Sequence, residues 1–149
     1  MRSRNRLAMA AAALALSLAP GARAACSVSF QDILFGDYDA SSPGAAITSA
    51  EVRATCRAPI VLTVLVSAST VSGSVTDRRM KHLSRADTLS YNIFRDASMT
   101  TVWGDSVQGN PVTVRVDGEF VTRLYGQIFP RQDVWVGAYA DTLRVTVLP

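Results

Sequence analysis

From Cys26 onward the apolar pattern runs mostly at period two, and this period constrains the fold more than any other feature of the chain. Successive side chains of a strand point to opposite faces, so period two suits a half-buried strand. Cys26, Val28 and Phe30 alternate with Ser27 and Ser29, and Val52, Ala54 and Cys56 with Glu51, Arg53 and Thr55. The same rhythm returns at Leu89, Tyr91 and Ile93, at Val112, Val114 and Val116, and at Leu143, Val145 and Val147. Ile60 to Val66 is nearly all apolar, which predicts a central strand covered on both faces. Turn residues punctuate these runs at Ser42-Pro43-Gly44, Ser72-Gly73-Ser74, Gly104-Asp105 and Gly109-Asn110-Pro111. Asp117-Gly118, between Val112 to Val116 and Phe120 to Ile128, predicts a hairpin. Arg78 to Thr88 has Met80 and Leu83 at helical spacing, but its charge density predicts a solvated loop. The pattern points to about six to eight strands in a one-domain antiparallel sandwich or barrel.

The first residues follow another logic. Arg2, Arg4 and Arg6 precede an uncharged Ala/Leu run from Leu7 to Ala19, and Pro20 and Gly21 break it ahead of Ala22-Arg23-Ala24. This layout predicts a secretory signal peptide over residues 1–24, cut after Ala24, with the domain following from Ala25 to Pro149. As a helix, the run is too short for a hydrocarbon core of roughly 30 Å, so no membrane span is expected. Processing as a lipoprotein at Cys26 is disfavoured by Arg23. Removing the leader's four arginines leaves eleven basic against twelve acidic residues, a net charge of −1. Such a balance argues against nucleic acid as a partner. Export to an oxidising compartment also changes how cysteine reads: Cys26 and Cys56, the only two in the chain, are expected to pair.

Little in the sequence points to catalysis. His82 is the one histidine and lies among Arg79, Lys81 and Arg85, which predicts a surface position and no metal site. Gly-x-Ser-x-Gly and Ser-x-x-Lys patterns are absent. The pairs Asp37/Asp39 and Asp117/Glu119 could be nominated for acid–base chemistry, but turn residues beside both account for them structurally. The expectation is a protein that is not an enzyme and needs no cofactor. Trp103 and Trp135 read either as exposed binding groups or as caps on a core, and the basic run Arg78 to His82 as a solvated face.

An ordered set of motifs then suggests a family. Leu34-Phe35-Gly36-Asp37-Tyr38, Thr76-Asp77-Arg78-Arg79-Met80 and Leu89-Ser90-Tyr91-Asn92-Ile93-Phe94-Arg95-Asp96 occur in that order. Trp103-Gly104-Asp105, Leu124-Tyr125-Gly126-Gln127-Ile128 and the ending Val136-Gly137-Ala138-Tyr139-Ala140-Asp141-Thr142-Leu143 follow. Across residues 26–149 the chain resembles the spore coat protein U domain, the subunit type of archaic, Csu-type chaperone-usher pili. The resemblance implies an immunoglobulin-like antiparallel β-sandwich lacking its final strand, which a periplasmic chaperone lends and a neighbouring subunit replaces at the outer-membrane usher. It also implies an acceptor groove walled by Val28, Phe30 and Ile33 on one side and Leu143, Val145 and Val147 on the other. Polymerising relatives carry a donor segment ahead of the first cysteine, whereas the expected cleavage leaves only Ala25. A terminal subunit that accepts a strand without giving one is therefore expected, exported to the cell surface and touching other surfaces through Trp103 or Phe129. The competing expectation is a free-standing secreted coat protein.

Overall fold

A computed structural model describes residues 26–149, so the expected leader and its cleavage site lie outside the described residues. Two long strands form the spine of the domain, β2 (Ala46–Val66) and β5 (Val112–Ile128). They pair antiparallel from Ala46 opposite Ile128 to Val64 opposite Val112. Around them lie β1 (Cys26–Phe30), β3 (Arg78–His82), β4 (Thr88–Phe94), β6 (Tyr139–Ala140) and β7 (Val145–Leu148). The described residues are all-β: one antiparallel sheet with strand order β1-β2-β5-β4-β3-β6, while β7 joins β2. β1 and β7 share one edge of β2, at Val52–Cys56 and Thr63–Val66 respectively. The sheet thereby curls back on itself, and its inward positions meet in one core. Ala50, Val52, Val64 and Val66 of β2 meet Leu89, Tyr91 and Ile93 of β4 and Leu124 and Ile128 of β5. A second cluster, Ala54, Cys56, Leu62 and Val116, lies beneath β1 and the end of β7.

The structure corrects two readings of the spine. Val112 to Val116 and Phe120 to Ile128 are one strand, not a hairpin, with Asp117-Gly118 inside it. Cys56 faces Gly118 and Ile60 faces Val116, so Arg57, Ala58 and Pro59 bulge opposite Asp117 alone. Gly118 takes φ +80°, which an Asp-Gly pair supplies to a bulge as readily as to a hairpin turn. Pro59 sits where a missing N–H breaks no regular rung. Ile60 to Val66 is covered on one face only: Leu62, Val64 and Val66 are buried, while Val61 is 49% exposed.

The Cys26–Cys56 disulfide staples β1 to β2 beside this bulge, joining residues that face each other in register, 4.2 Å apart at Cα. Non-hydrogen-bonded antiparallel pairs approach this closely, which lets the bridge form without parting the strands.

Of the stretch Arg78 to Thr88, expected to be a solvated loop, residues 83–87 connect two strands, but Arg78–His82 is strand β3, and its polar residues alternate with the pleat. Arg78, Met80 and His82 point inward and are buried; Arg79 and Lys81 point out. Arg78 is 0% exposed. Its guanidinium donates to the carbonyls of Val66 (3.2 Å), Ser67 (2.8 Å) and Trp103 (2.9 Å) and to Asn92 Oδ1 (2.8 Å). Five fixed donors allow a buried arginine to satisfy several carbonyls where sheet turns into loop. His82 is also buried, correcting its expected surface position. Its Nδ1 accepts the Ser84 N–H (3.1 Å), so Nε2 carries the proton donated to the Val136 carbonyl (3.2 Å).

Two measurements test these supports. The bridge closes a loop over a sequence separation of 30, and chain entropy assigns such a closure about 3 to 4 kcal/mol. Reduction, or Cys56→Ala, is expected to lower the melting temperature by about 10 to 15 °C. Arg78→Met is expected to cost about 3 kcal/mol in denaturant unfolding, because three buried carbonyls lose their donor, whereas Lys81→Met stays within about 0.5 kcal/mol.

Candidate functional site

The same alternation that buries side chains leaves backbone groups bare along one side of the domain. The Gln31 N–H donates to the Glu51 carbonyl (3.0 Å), which sets the hydrogen-bonded parity of β1 on β2. By that parity, Val28 and Phe30 turn their N–H and C=O groups away from β2. The Ser67 N–H likewise donates to the Arg144 carbonyl (2.9 Å), so Val145 and Val147 turn theirs away from the upper end of β2. Among the described residues, no strand pairs with the outer edge of β1 or β7.

Between these edges opens an apolar groove of about 430 Å³. Phe30 and Ile33 line one wall, Leu143 and Val145 the other, and Val66, Tyr91, Ile93 and Leu124 lie between them. It runs on into a wider trough of about 1100 Å³ over Leu89 and Ile128, rimmed by Tyr38 and by Val134 to Tyr139. Of the six residues predicted as groove walls, the structure gathers Phe30, Ile33, Leu143 and Val145 around the narrower part. Val28 and Val147 lie beyond its end, packed against the second cluster. All six are half-buried.

Polar clamps fix both walls. Asp141 Oδ1 accepts the Thr70 N–H (3.1 Å) and hydroxyl (2.7 Å), and its Oδ2 accepts the Tyr91 hydroxyl (2.7 Å). Burial, and then the bond to Asp141, push the Tyr91 phenol above its ordinary value of 10.0. Ser67 Oγ accepts the Arg144 N–H (2.9 Å). On the opposite wall Thr48 donates to the Leu34 carbonyl (2.8 Å), and Tyr38 donates to the Phe129 carbonyl (3.0 Å). At the wide end, the Tyr139 hydroxyl donates to the Trp135 carbonyl (2.7 Å), and His82 holds Val136.

Sequence reading missed the continuation of the Phe30 and Ile33 wall, Phe35 and Tyr38, because Leu34-Phe35-Gly36-Asp37-Tyr38 lacks the strand alternation. It missed Asp141 as a clamp because a single acidic residue between turn and strand carries no local signal. Trp103 is a correction: it is 1% exposed, and its indole N–H donates to the Val64 carbonyl (3.0 Å), so it is a core residue and offers no surface contact. Trp135 is 59% exposed and carries the Arg85 guanidinium on its ring, 4.0 Å from the centroid; Phe129 is 38% exposed. Asp39 caps its own turn by accepting the Ser41 N–H (2.8 Å), and Glu119 pairs with Arg53. Among the described residues, no three His, Cys, Asp or Glu side chains gather as a metal site.

Fold and groove together define a class: an all-β domain made of one curled antiparallel sheet and left open along one side. The chain belongs to the Spore Coat Protein U domain family, whose model matches residues 11–146. Among solved structures it is similar to the CsuC–CsuE chaperone-tip adhesion subunit pre-assembly complex from the archaic chaperone-usher Csu pili of Acinetobacter baumannii. Identity is 21% with a TM-score of 0.55, over 83% of this chain and 38% of that one. It is also similar to a chaperone-tip adhesin complex of CFA/I fimbriae biogenesis, at 14% identity and a TM-score of 0.50, over 82% of this chain and 41% of that one. At these identities the likeness is one of fold, and this chain spans about two fifths of each. No curated protein matches the chain.

The clamp on Tyr91 has a pH signature. The folded chain holds the phenolic proton more tightly than the unfolded chain does. The associated stability is therefore fully present below about pH 10 and is lost as the pH rises beyond it. Melting temperature is expected to fall between pH 9.5 and 11 more steeply in the native chain than in Tyr91→Phe, as read by calorimetry in matched buffers.

Proposed function

We propose that this chain is an exported structural subunit of a surface fibre assembled by the chaperone-usher route, in which an extended segment of another protein completes the sandwich. The observation that carries the proposal is the apolar groove bordered by two rows of outward-turned backbone groups, at Val28 and Phe30 and at Val145 and Val147. An edge of this kind is a template for strand addition: main-chain hydrogen bonds supply affinity, and alternate side chains fill the groove. A strand that buries four or five apolar residues there gains roughly 8 to 10 kcal/mol gross, at about 2 kcal/mol each. A joint of that strength rarely opens, which suits a fibre.

On this reading the partners are a periplasmic chaperone that occupies the groove first, an outer-membrane usher, and a neighbouring subunit that supplies the lasting strand. The fold-level neighbours are tip subunits held by chaperones, which supports the same partner classes here. The protein passes the inner membrane by its leader, folds in the periplasm with its disulfide closed, and ends on the cell surface. Cleavage before Ala25 makes it a terminal, strand-accepting subunit; Phe129 and Trp135 are the aromatic groups left for surface contact. Its role is mechanical and involves no catalysis.

A photo-crosslinking residue placed at Val145 is tested in the periplasm beside the same residue at Val121, on the outer face. Val145 is expected to capture an extended, alternating segment of a second protein, mapped by mass spectrometry, while Val121 captures none. Equal labelling at both sites, or a chain that is monomeric and uncrosslinked at both, would sink the proposal in favour of a free-standing coat protein. Mass spectrometry of the exported form is expected to find Ala25 at its N-terminus; a form retaining a longer segment ahead of Cys26 overturns the terminal, strand-accepting role.

A further inference from the structure

The groove is not a uniform slot, because one aromatic ring stands in its middle. Along β5 the inward positions run Leu124, Gly126, Ile128; Leu124 lines the narrower bay and Ile128 the wider one. Gly126 between them has no side chain, and Phe35 takes the place instead: a Cβ on Gly126 would lie 2.7 Å from Cζ of that ring. The ring also meets Tyr91 edge to face, with centroids 5.9 Å apart, and Tyr91 is itself fixed on Asp141 (2.7 Å). Phe35 comes from the irregular wall after β1, not from the sheet. Gly36 at φ +70° turns the backbone directly after it. Phe35 belongs to the lining of both bays, as do its neighbours Ile33 and Leu34 and, from the sheet, Met80 and Tyr139, so these residues mark the boundary between the bays.

We propose that Phe35 is a specificity-determining residue of the groove. By filling the place over Gly126, it selects an extended segment with apolar side chains four residues apart and glycine or alanine midway between them. The inference rests on the groove being a strand-docking site, as proposed above. In an extended chain, positions i, i+2 and i+4 share a face, and i to i+4 spans about 13 Å. That is the run from Leu124 to Ile128 on β5, so the two outer side chains enter the two bays and the middle one meets the Phe35 ring. The bays also differ in size, about 430 against 1100 Å³, so the anchor over Ile128 is the larger. A valine or phenylalanine midway would overpack against a ring that Gly126 and Tyr91 hold in place.

The test uses dye-labelled synthetic peptides with serine at the outward positions, valine at i and i+4, and glycine, alanine, valine or phenylalanine at i+2. Binding to the purified, disulfide-bonded chain is read by fluorescence anisotropy. The native chain is expected to bind the glycine and alanine peptides at least about tenfold more tightly than the valine and phenylalanine ones. In Phe35→Ala the order is expected to invert, with phenylalanine at i+2 filling the vacated place and binding most tightly. Phe35→Leu, which keeps most of the apolar volume, is expected to fall between them and guards against a folding defect in the alanine variant. The same ranking in all three chains, or a native chain that prefers phenylalanine at i+2, overturns the role of Phe35 while leaving the docking groove standing. No binding of any peptide to any chain, with cooperative melting retained, overturns the docking reading and this inference with it.

Discussion

Strand parity governs this domain. On an extended chain, residues whose side chains share one face turn their N–H and C=O groups toward one edge. Val28, Phe30, Val145 and Val147 all point their side chains into the sheet's concave side, and all four turn their backbone groups away from β2. Apolar surface and unsatisfied backbone therefore open onto the same groove. Among the described residues no strand pairs with the outer edge of β1 or β7, and β2 is already occupied along its other edge by β5. One geometric rule thus lays out both features on which the proposed docking rests.

The rest of the fold keeps that groove open and shaped. The bulge at Arg57–Pro59 shifts the register of β2 against β5 and lies between the two stretches of β2 that carry β1 and β7 on the same edge. The disulfide holds β1 at one side of the break, and the Arg78 guanidinium gathers the end of β2 and the Trp103 loop at the other. Asp141, satisfied by Thr70 and Tyr91, ties the Leu143 and Val145 wall to the core, while Tyr38 ties the opposite wall to Phe129. These clamps are side-chain hydrogen bonds standing where ladder bonds are absent. Walls tied in this way would reduce the ordering cost of the docking proposed above.

Membership of the Spore Coat Protein U domain family and the fold shared with pilus subunits give this architecture a common setting. The proposed fibre role draws on the groove more than on the likeness, since the solved relatives are distant in sequence. Phe35 adds a local feature to that picture: a wall residue seated over a glycine in the sheet, dividing one trough into two bays.

The all-β class, the strand positions at Cys26–Phe30 and Thr88–Phe94 and the pairing of the only two cysteines were legible from residue order, because period two and cysteine count are local facts. The family was legible as well, from motifs in sequence. Tertiary structure alone decided that Asp117-Gly118 bends a continuous strand, since the same dipeptide serves a hairpin and a bulge and only the pairing with β2 separates them. It decided too that Arg78 and His82 face inward, because a polar or charged side chain is tolerable in a core only where carbonyls and amides from other segments converge on it. Trp103 is buried for the same reason: its indole found an acceptor in Val64, 39 residues away. Period and composition specify which face of each strand is apolar. Only the folded arrangement of edges specifies which of those faces is left without a neighbour.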